Sequence, residues 1–283
     1  MTRATPGDGL RYDVGSGLTT IDDDVASLVA DLPADPVEIC RFTQALLVLP
    51  DLADAIGIPP ERQDERSIRP ASDILRAAAA LDGRPLGEER PLTSRVVGTC
   101  RHFAVLSCAL LRHRGIAARA RCGFATYFVA GSHVDHWIVE LQHAGADGWV
   151  RVDPEIIGFG VVPDAADLEP GAFLTGGEAW ALVGAGGADP KSFGVHGVPE
   201  AWGIGEIRGN AVRDLAALNK VEVLPWDEWG RMEASYAGTT GSEYDELMDV
   251  IATTTAADDA TAVTALYGTE DLAVPESVLA PPG

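Results

Sequence analysis

The stretch Gly98-Thr-Cys-Arg-His-Phe-Ala-Val-Leu-Ser-Cys-Ala-Leu-Leu-Arg-His-Arg-Gly115 decides how this chain is read. Phe103, Ala104, Leu106, Leu110 and Leu111 recur at helical spacing and form a wide apolar face. Gly115 stands where a helix C-cap is expected. The spacing therefore predicts a buried helix from Thr99 to Arg114, with Cys100 in its first turn. Three strands are expected to follow: Ala118 to Phe128, His136 to Leu141 and Trp149 to Val152. The last two read as a hairpin joined by the turn-rich Gln142 to Gly148. If Leu141 faces Trp149, paired positions sum to about 290. His136 then lies opposite position 154, one residue from Asp153. Val150 and Val152 point to one side of the strand, and Trp149, Arg151 and Asp153 to the other.

Cys100, His136 and Asp153 thus form one candidate constellation. A helix N-terminus favours a thiolate and offers N–H groups to an oxyanion. An imidazole next to a carboxylate is held in one tautomer and can act as acid and base. Cys40, Cys108 and Cys122 lie in apolar runs and read as core. Cys108 is about 12 Å along the helix from Cys100, too far for a disulfide. His102 points away from Cys100. His133 rivals His136 as the base. His113 and His143 read as helix-end and turn residues. His133 and His136 with Asp135 resemble a partial metal set but lack a second ligand pair, so no metal and no cofactor is expected.

Working outward, residues 1–90 read as mainly helical: Ile21 to Leu32, Val37 to Leu49 and Ser72 to Leu81 carry apolar stripes. Beyond Pro154 the chain is Gly/Pro-rich, then helical around Gly177 to Val183 and at Glu206 to Lys220. Ser242 to Thr253 reads as one more acidic helix, and the rest as a poorly ordered tail. The expected regions are 1–90 helical, 91–160 catalytic core, 161–235 helical and packed on the core, and 236–283 an acidic, partly disordered tail.

The chain has 283 residues and a formal net charge of −22. Such a balance disfavours nucleic acid and anionic membrane surfaces as partners. No apolar run approaches the roughly 20 residues of a membrane span. Met1 to Leu18 lack a charged-then-apolar signal pattern, so the expected address is the cytoplasm. The charge is uneven. From Met232 onward there are ten acids and no Lys or Arg, whereas Pro91 to Val134 hold six arginines and no acid. That island (Arg95, Arg101, Arg112, Arg114, Arg119, Arg121) either stabilises negative charge near Cys100 or pairs with acids from elsewhere.

Four ordered segments then resemble the transglutaminase-like superfamily: Gly98-Thr-Cys-Arg-His-Phe-Ala104, Ala109-Leu-Leu-Arg-His-Arg-Gly115 with the strand to Phe124, Asp135-His-Trp-Ile-Val-Glu-Leu141, and Gly148-Trp-Val-Arg-Val-Asp-Pro154. The resemblance covers about residues 91–158. It implies an α+β fold with a papain-like core, in which a Cys-bearing helix packs on an antiparallel sheet, with helical N- and C-terminal extensions. It implies Cys100 as nucleophile, His136 as base and Asp153 as orienting acid. Thr99, Arg101, Tyr127, His133, Asp135 and Trp137 are the candidates for substrate binding. The implied function is acyl transfer, or hydrolysis of a peptide, amide or thioester, through an acyl-enzyme. The competing readings are a non-catalytic binding or scaffold protein, and an amide-forming acyltransferase fed by a carrier-bound thioester that lands on Arg112 and Arg119.

Overall fold

The structure, a computed structural model, describes residues 10–142, 148–269 and 271–280. At its centre is helix α3, Cys100–His113, preceded by α1 (Pro36–Leu46) and α2 (Ala71–Leu81). Every residue of α3 from Arg101 to Arg112 is buried. The hydrophobic face predicted from spacing is thus the floor of a helix surrounded on all sides. Each buried Leu there contributes about 1.5–3 kcal/mol relative to exposure. Gly115 takes φ +73°, and the Gly115 and Ile116 N–H groups bond back to Arg112 and Leu111 carbonyls at 2.9 and 3.0 Å. This is a glycine helix stop.

Two-residue strands β1 (Leu47–Val48) and β2 (Val96–Val97) pair in parallel just before α3. The main sheet follows: β3 (Ala118–Ala125), β4 (His133–Leu141), β5 (Val150–Val152) and β6 (Phe173–Thr175), in the order β5-β4-β3-β6 and all antiparallel. β7 (Phe193–Gly194) pairs in parallel with the start of β4. The second edge of β4 is therefore covered at His133–Val134 by β7 and at Val139–Leu141 by β5. Among the described residues, the edge between them, where His136 lies, faces no strand.

The hairpin of β4 and β5 is present, but its register differs by one residue from the sequence reading. Leu141 pairs with Val150, not Trp149, so paired positions sum to 291. The connection is too long for a turn type to fix the register, and its residues 143–147, His143 included, lie outside the described ones. The inward set is still Val150 and Val152: Trp137, Val139, Leu141 and Val152 share the main core with Phe103, Leu106 and Leu110 of α3.

Helices α4 (Gly176–Gly184) and α5 (Ile204–Leu218) pack on β3 and on each other. The acidic C-terminal stretch holds the helix expected at Ser242 to Thr253 and a second one where a poorly ordered tail was expected. It forms α6 (Ser242–Ala256) and α7 (Ala260–Tyr267), and Tyr244, Met248, Ile251 and Val263 bury themselves in the main core. Around these anchors Glu243, Glu246 and Asp249 are exposed, while Asp245 and Asp258 pair with Arg208 and Arg119.

The arginine island also resolves differently from a site for negative charge. Arg101 is fully buried and donates to the backbone carbonyls of Glu222 and Arg69. Arg112 pairs with Glu222 at 3.2 Å, both side chains being 0% exposed. Arg121 bridges Glu140 (2.7 Å) and Asp214 (2.8 Å), and Arg119 bridges Glu140 (2.7 Å) and Asp258. These guanidiniums neutralise acids drawn from distant segments. Arg112 and Arg119 are thus buried and not presented to a carrier, while Arg114 of the same island is exposed.

Candidate active site

Thr99 is the N-cap of α3, in extended conformation, and Cys100 is the first helical residue. The Thr99 N–H donates to His102 Nδ1 at 3.1 Å, closing a capping box in which His102 takes the place usually held by Glu or Gln. Gly98 is needed here, because a Cβ on it would lie 2.9 Å from the Cβ of His102. Burial, followed by the charge of Arg101, pushes His102 down to about 3, so its ring is neutral and serves as a cap. Cys100 is left half-buried at the helix start.

His136 is 2% exposed on β4, opposite Gly123 of β3. Its Nε2 lies 2.8 Å from Asp153 Oδ2. A carboxylate only accepts, so Nε2 carries the proton and Nδ1 is left for the sulfur. The reactive atoms of Cys100, His136 and Glu155 all lie within 4.8 Å of one another. Asp153 is fully buried. Its Oδ2 also accepts from Tyr127 Oη at 2.5 Å, and its Oδ1 from the Glu155 N–H at 3.0 Å. Phe128 packs edge-on against the imidazole, with ring centroids 5.0 Å apart.

The electrostatics follow from this packing. Burial raises the Cys100 thiol, and hydrogen bonding and charge from His136 pull it back only in part. Burial alone would lower His136, but Asp153 outweighs it, helped by Cys100 and Glu155, and the imidazole stands well above its ordinary value. Glu155 is pushed up to about 7, first by burial and also by Asp153, with His136 opposing.

The structure brings together Cys100, His136, Asp153 and Tyr127. It separates the others. His133 stacks on Phe193 (centroids 4.0 Å apart) and its Nδ1 lies 3.0 Å from Ser192 Oγ. Trp137 points into the core with its indole N–H unpartnered. Arg101 is held by the carbonyls described above, and Thr99 serves the cap. Asp135 accepts from Asn210 Nδ2 at 2.7 Å and borders a cavity of about 490 Å³ between Val195, Glu206, Arg213, Trp226 and Tyr236. A larger cleft, about 1070 Å³, lies beside Tyr12, Pro36 and Trp149, and none of Cys100, His136 and Asp153 lines it.

Glu155 is the residue the sequence reading missed. It lies in the turn after β5, beyond the last ladder pair, so strand register does not place it. The carboxylate on the other side of the proline, Asp153, leaves the ladder when its N–H turns to the Ala165 carbonyl at 2.8 Å.

Residues 78–154 match the model of the transglutaminase-like superfamily. A search of solved structures finds the crystal structure of red sea bream transglutaminase, at 20% sequence identity and a TM-score of 0.30. That alignment covers 45% of this chain and 25% of the transglutaminase chain. No curated protein sequence matches.

Proposed function

We propose that this chain is a cysteine enzyme that performs acyl transfer or hydrolysis on an amide or thioester, through an acyl group held on Cys100. The observation that carries this reading is the His136 imidazole, locked by Asp153 at 2.8 Å on one side and facing Cys100 on the other. The superfamily match over residues 78–154 supports the same class.

In this mechanism His136 takes the thiol proton as the Cys100 sulfur attacks the carbonyl carbon. A carbon–sulfur bond forms, and the carbonyl electrons move onto oxygen. The first turn of a helix has N–H groups without intrahelical partners, which suit such a charge. The tetrahedral adduct collapses, the bond to the leaving amine or thiol breaks, and His136 returns the proton to it. Water or an amine then gives its own proton to His136 and releases the acyl group from sulfur. Asp153 holds the imidazole orientation throughout, and Tyr127 and the Glu155 N–H hold Asp153. Substrate reaches the site as a peptide, amide or thioester. Among the described residues no helix is long and apolar enough to cross a membrane.

The test is mass spectrometry of the protein after incubation with a panel of amides and thioesters. An acyl adduct on Cys100 supports the reading. Absence of an adduct across the panel, with a thiol whose alkylation is indifferent to His136→Ala, favours the non-catalytic scaffold instead.

A further inference from the structure

The Glu155 carboxyl has no part in the mechanism above, where only its backbone N–H serves, yet its placement is specific. It is 8% exposed, and its Oε2 is buried with no hydrogen-bond partner. Burying a carboxylate oxygen without a partner is costly unless something compensates it. The segment that carries it is pinned: Gln44 Nε2 donates to the Glu155 carbonyl at 2.9 Å and to the Ile157 carbonyl at 3.0 Å. The side chain is thus held toward Cys100 and His136, within 4.8 Å of the reactive atoms of both.

We propose that Cys100 Sγ, His136 Nδ1 and Glu155 form a three-ligand site for one divalent ion of the zinc type, and that occupancy of this site switches the thiol off. The donor set selects the ion. One sulfur, one imidazole nitrogen and one carboxylate oxygen suit zinc, whereas calcium and magnesium want oxygen alone. A tetrahedral zinc ion sets such ligands roughly 3.3–3.7 Å apart, so the three side chains close on it by rotations of about an ångström. The fourth position stays open on the half-exposed side of Cys100. Asp153 completes the arrangement by holding the Nε2–H of His136, as a carboxylate behind a metal-bound imidazole does. On binding, the sulfur enters as thiolate and its proton passes to solvent. Binding stands on the donor geometry alone; the switch rests on Cys100 being the nucleophile.

The experiment titrates the chelator-treated full-length protein with Co²⁺ and reads the thiolate-to-cobalt charge-transfer band. One equivalent of Co²⁺ should develop the band, Zn²⁺ should displace it, and Cys100→Ser should abolish it. Glu155→Gln should weaken Co²⁺ binding at least tenfold. Saturating Zn²⁺ should slow alkylation of wild-type Cys100 by iodoacetamide at least tenfold, with recovery on adding EDTA. The wild-type spectrum and the alkylation decide the matter even if a variant does not fold. Absence of the thiolate band at one equivalent overturns the proposal, as does a Glu155→Gln loss below tenfold or alkylation indifferent to Zn²⁺. An acyl adduct that forms on Cys100 equally with and without saturating Zn²⁺ would show this proposal failing while the enzyme reading holds.

Discussion

His136 and Asp153 meet at 2.8 Å, Nε2 to Oδ2, although they are not a ladder pair. Asp153 reaches the ring because β5 ends at Val152 and the chain turns toward Ala165. Two further donors, Tyr127 Oη and the Glu155 N–H, fix the carboxylate. Asp153→Asn keeps the shape but can present the wrong group to Nε2. It is expected to slow acylation of Cys100 by about 10²–10⁴-fold, the range of positioned acid–base catalysis. Tyr127→Phe leaves the other two contacts in place and should cost less than about tenfold. Single-turnover acylation followed by mass spectrometry measures both. An Asp153→Asn variant that acylates at the wild-type rate would remove Asp153 from the mechanism.

Arg121, Glu140 and Asp214 form a buried ion network with side chains 4%, 4% and 0% exposed. Breaking such a network from one side strands charge in the interior. Arg121→Ala is therefore expected to destabilise the fold by about 3–5 kcal/mol. Urea denaturation checks it; a loss below about 1 kcal/mol would show that water or rearranged partners compensate.

Gly123 sits opposite both His136 on β4 and Thr175 on β6. A Cβ there would stand 2.0 Å from the Leu174 carbonyl oxygen and 2.7 Å from Thr175 Cα, both backbone atoms. Gly123→Ala must push β6 off the sheet. The expected loss is at least about 3 kcal/mol, seen in the urea midpoint. A midpoint matching wild type would contradict the close approach of the two strands.

Glu206 is pushed up to about 7 by burial and by Asp135, against the pull of Arg213 and the Tyr236 hydroxyl. An unperturbed Glu titrates near 4.5. Between these values the folded chain keeps a proton that the unfolded chain has released. Stability from this group is thus full below about 4.5 and falls as pH rises to about 7. Glu206→Gln removes that slope. The stability difference between wild type and variant should shift toward the variant by about 2 kcal/mol from about pH 5 to about pH 8. Parallel Tm curves for the two proteins would contradict the raised carboxyl.

The central helix and the strands around His136 were legible because α3 is bounded by local signals: Thr99 at its start, Gly115 at its end, and Leu110 and Leu111 on its face. The nearness of His136 to Asp153 was also legible, since one residue of register changes faces but not distance along the strand. Glu155 was not, because it lies in the turn after β5, where no strand register reaches. The arginines misled for a different reason. Their partners Glu140, Asp214 and Glu222 lie 19 to 110 residues away, so the island is basic only along the chain. In the C-terminal segment the helix at Ser242 to Thr253 was legible, whereas Ala260–Tyr267 was read as a poorly ordered tail because its Thr/Ala/Asp-rich composition carries few apolar anchors.

The most direct measurement is the mass of Cys100 after brief exposure to a reactive thioester probe, compared with Cys100→Ala and His136→Ala. The account predicts a single acyl group on Cys100 of the wild type, none on the Cys100→Ala chain, and acylation slowed by at least about 10²-fold in His136→Ala. Acylation of Cys100 at an equal rate with and without the His136 imidazole would contradict it.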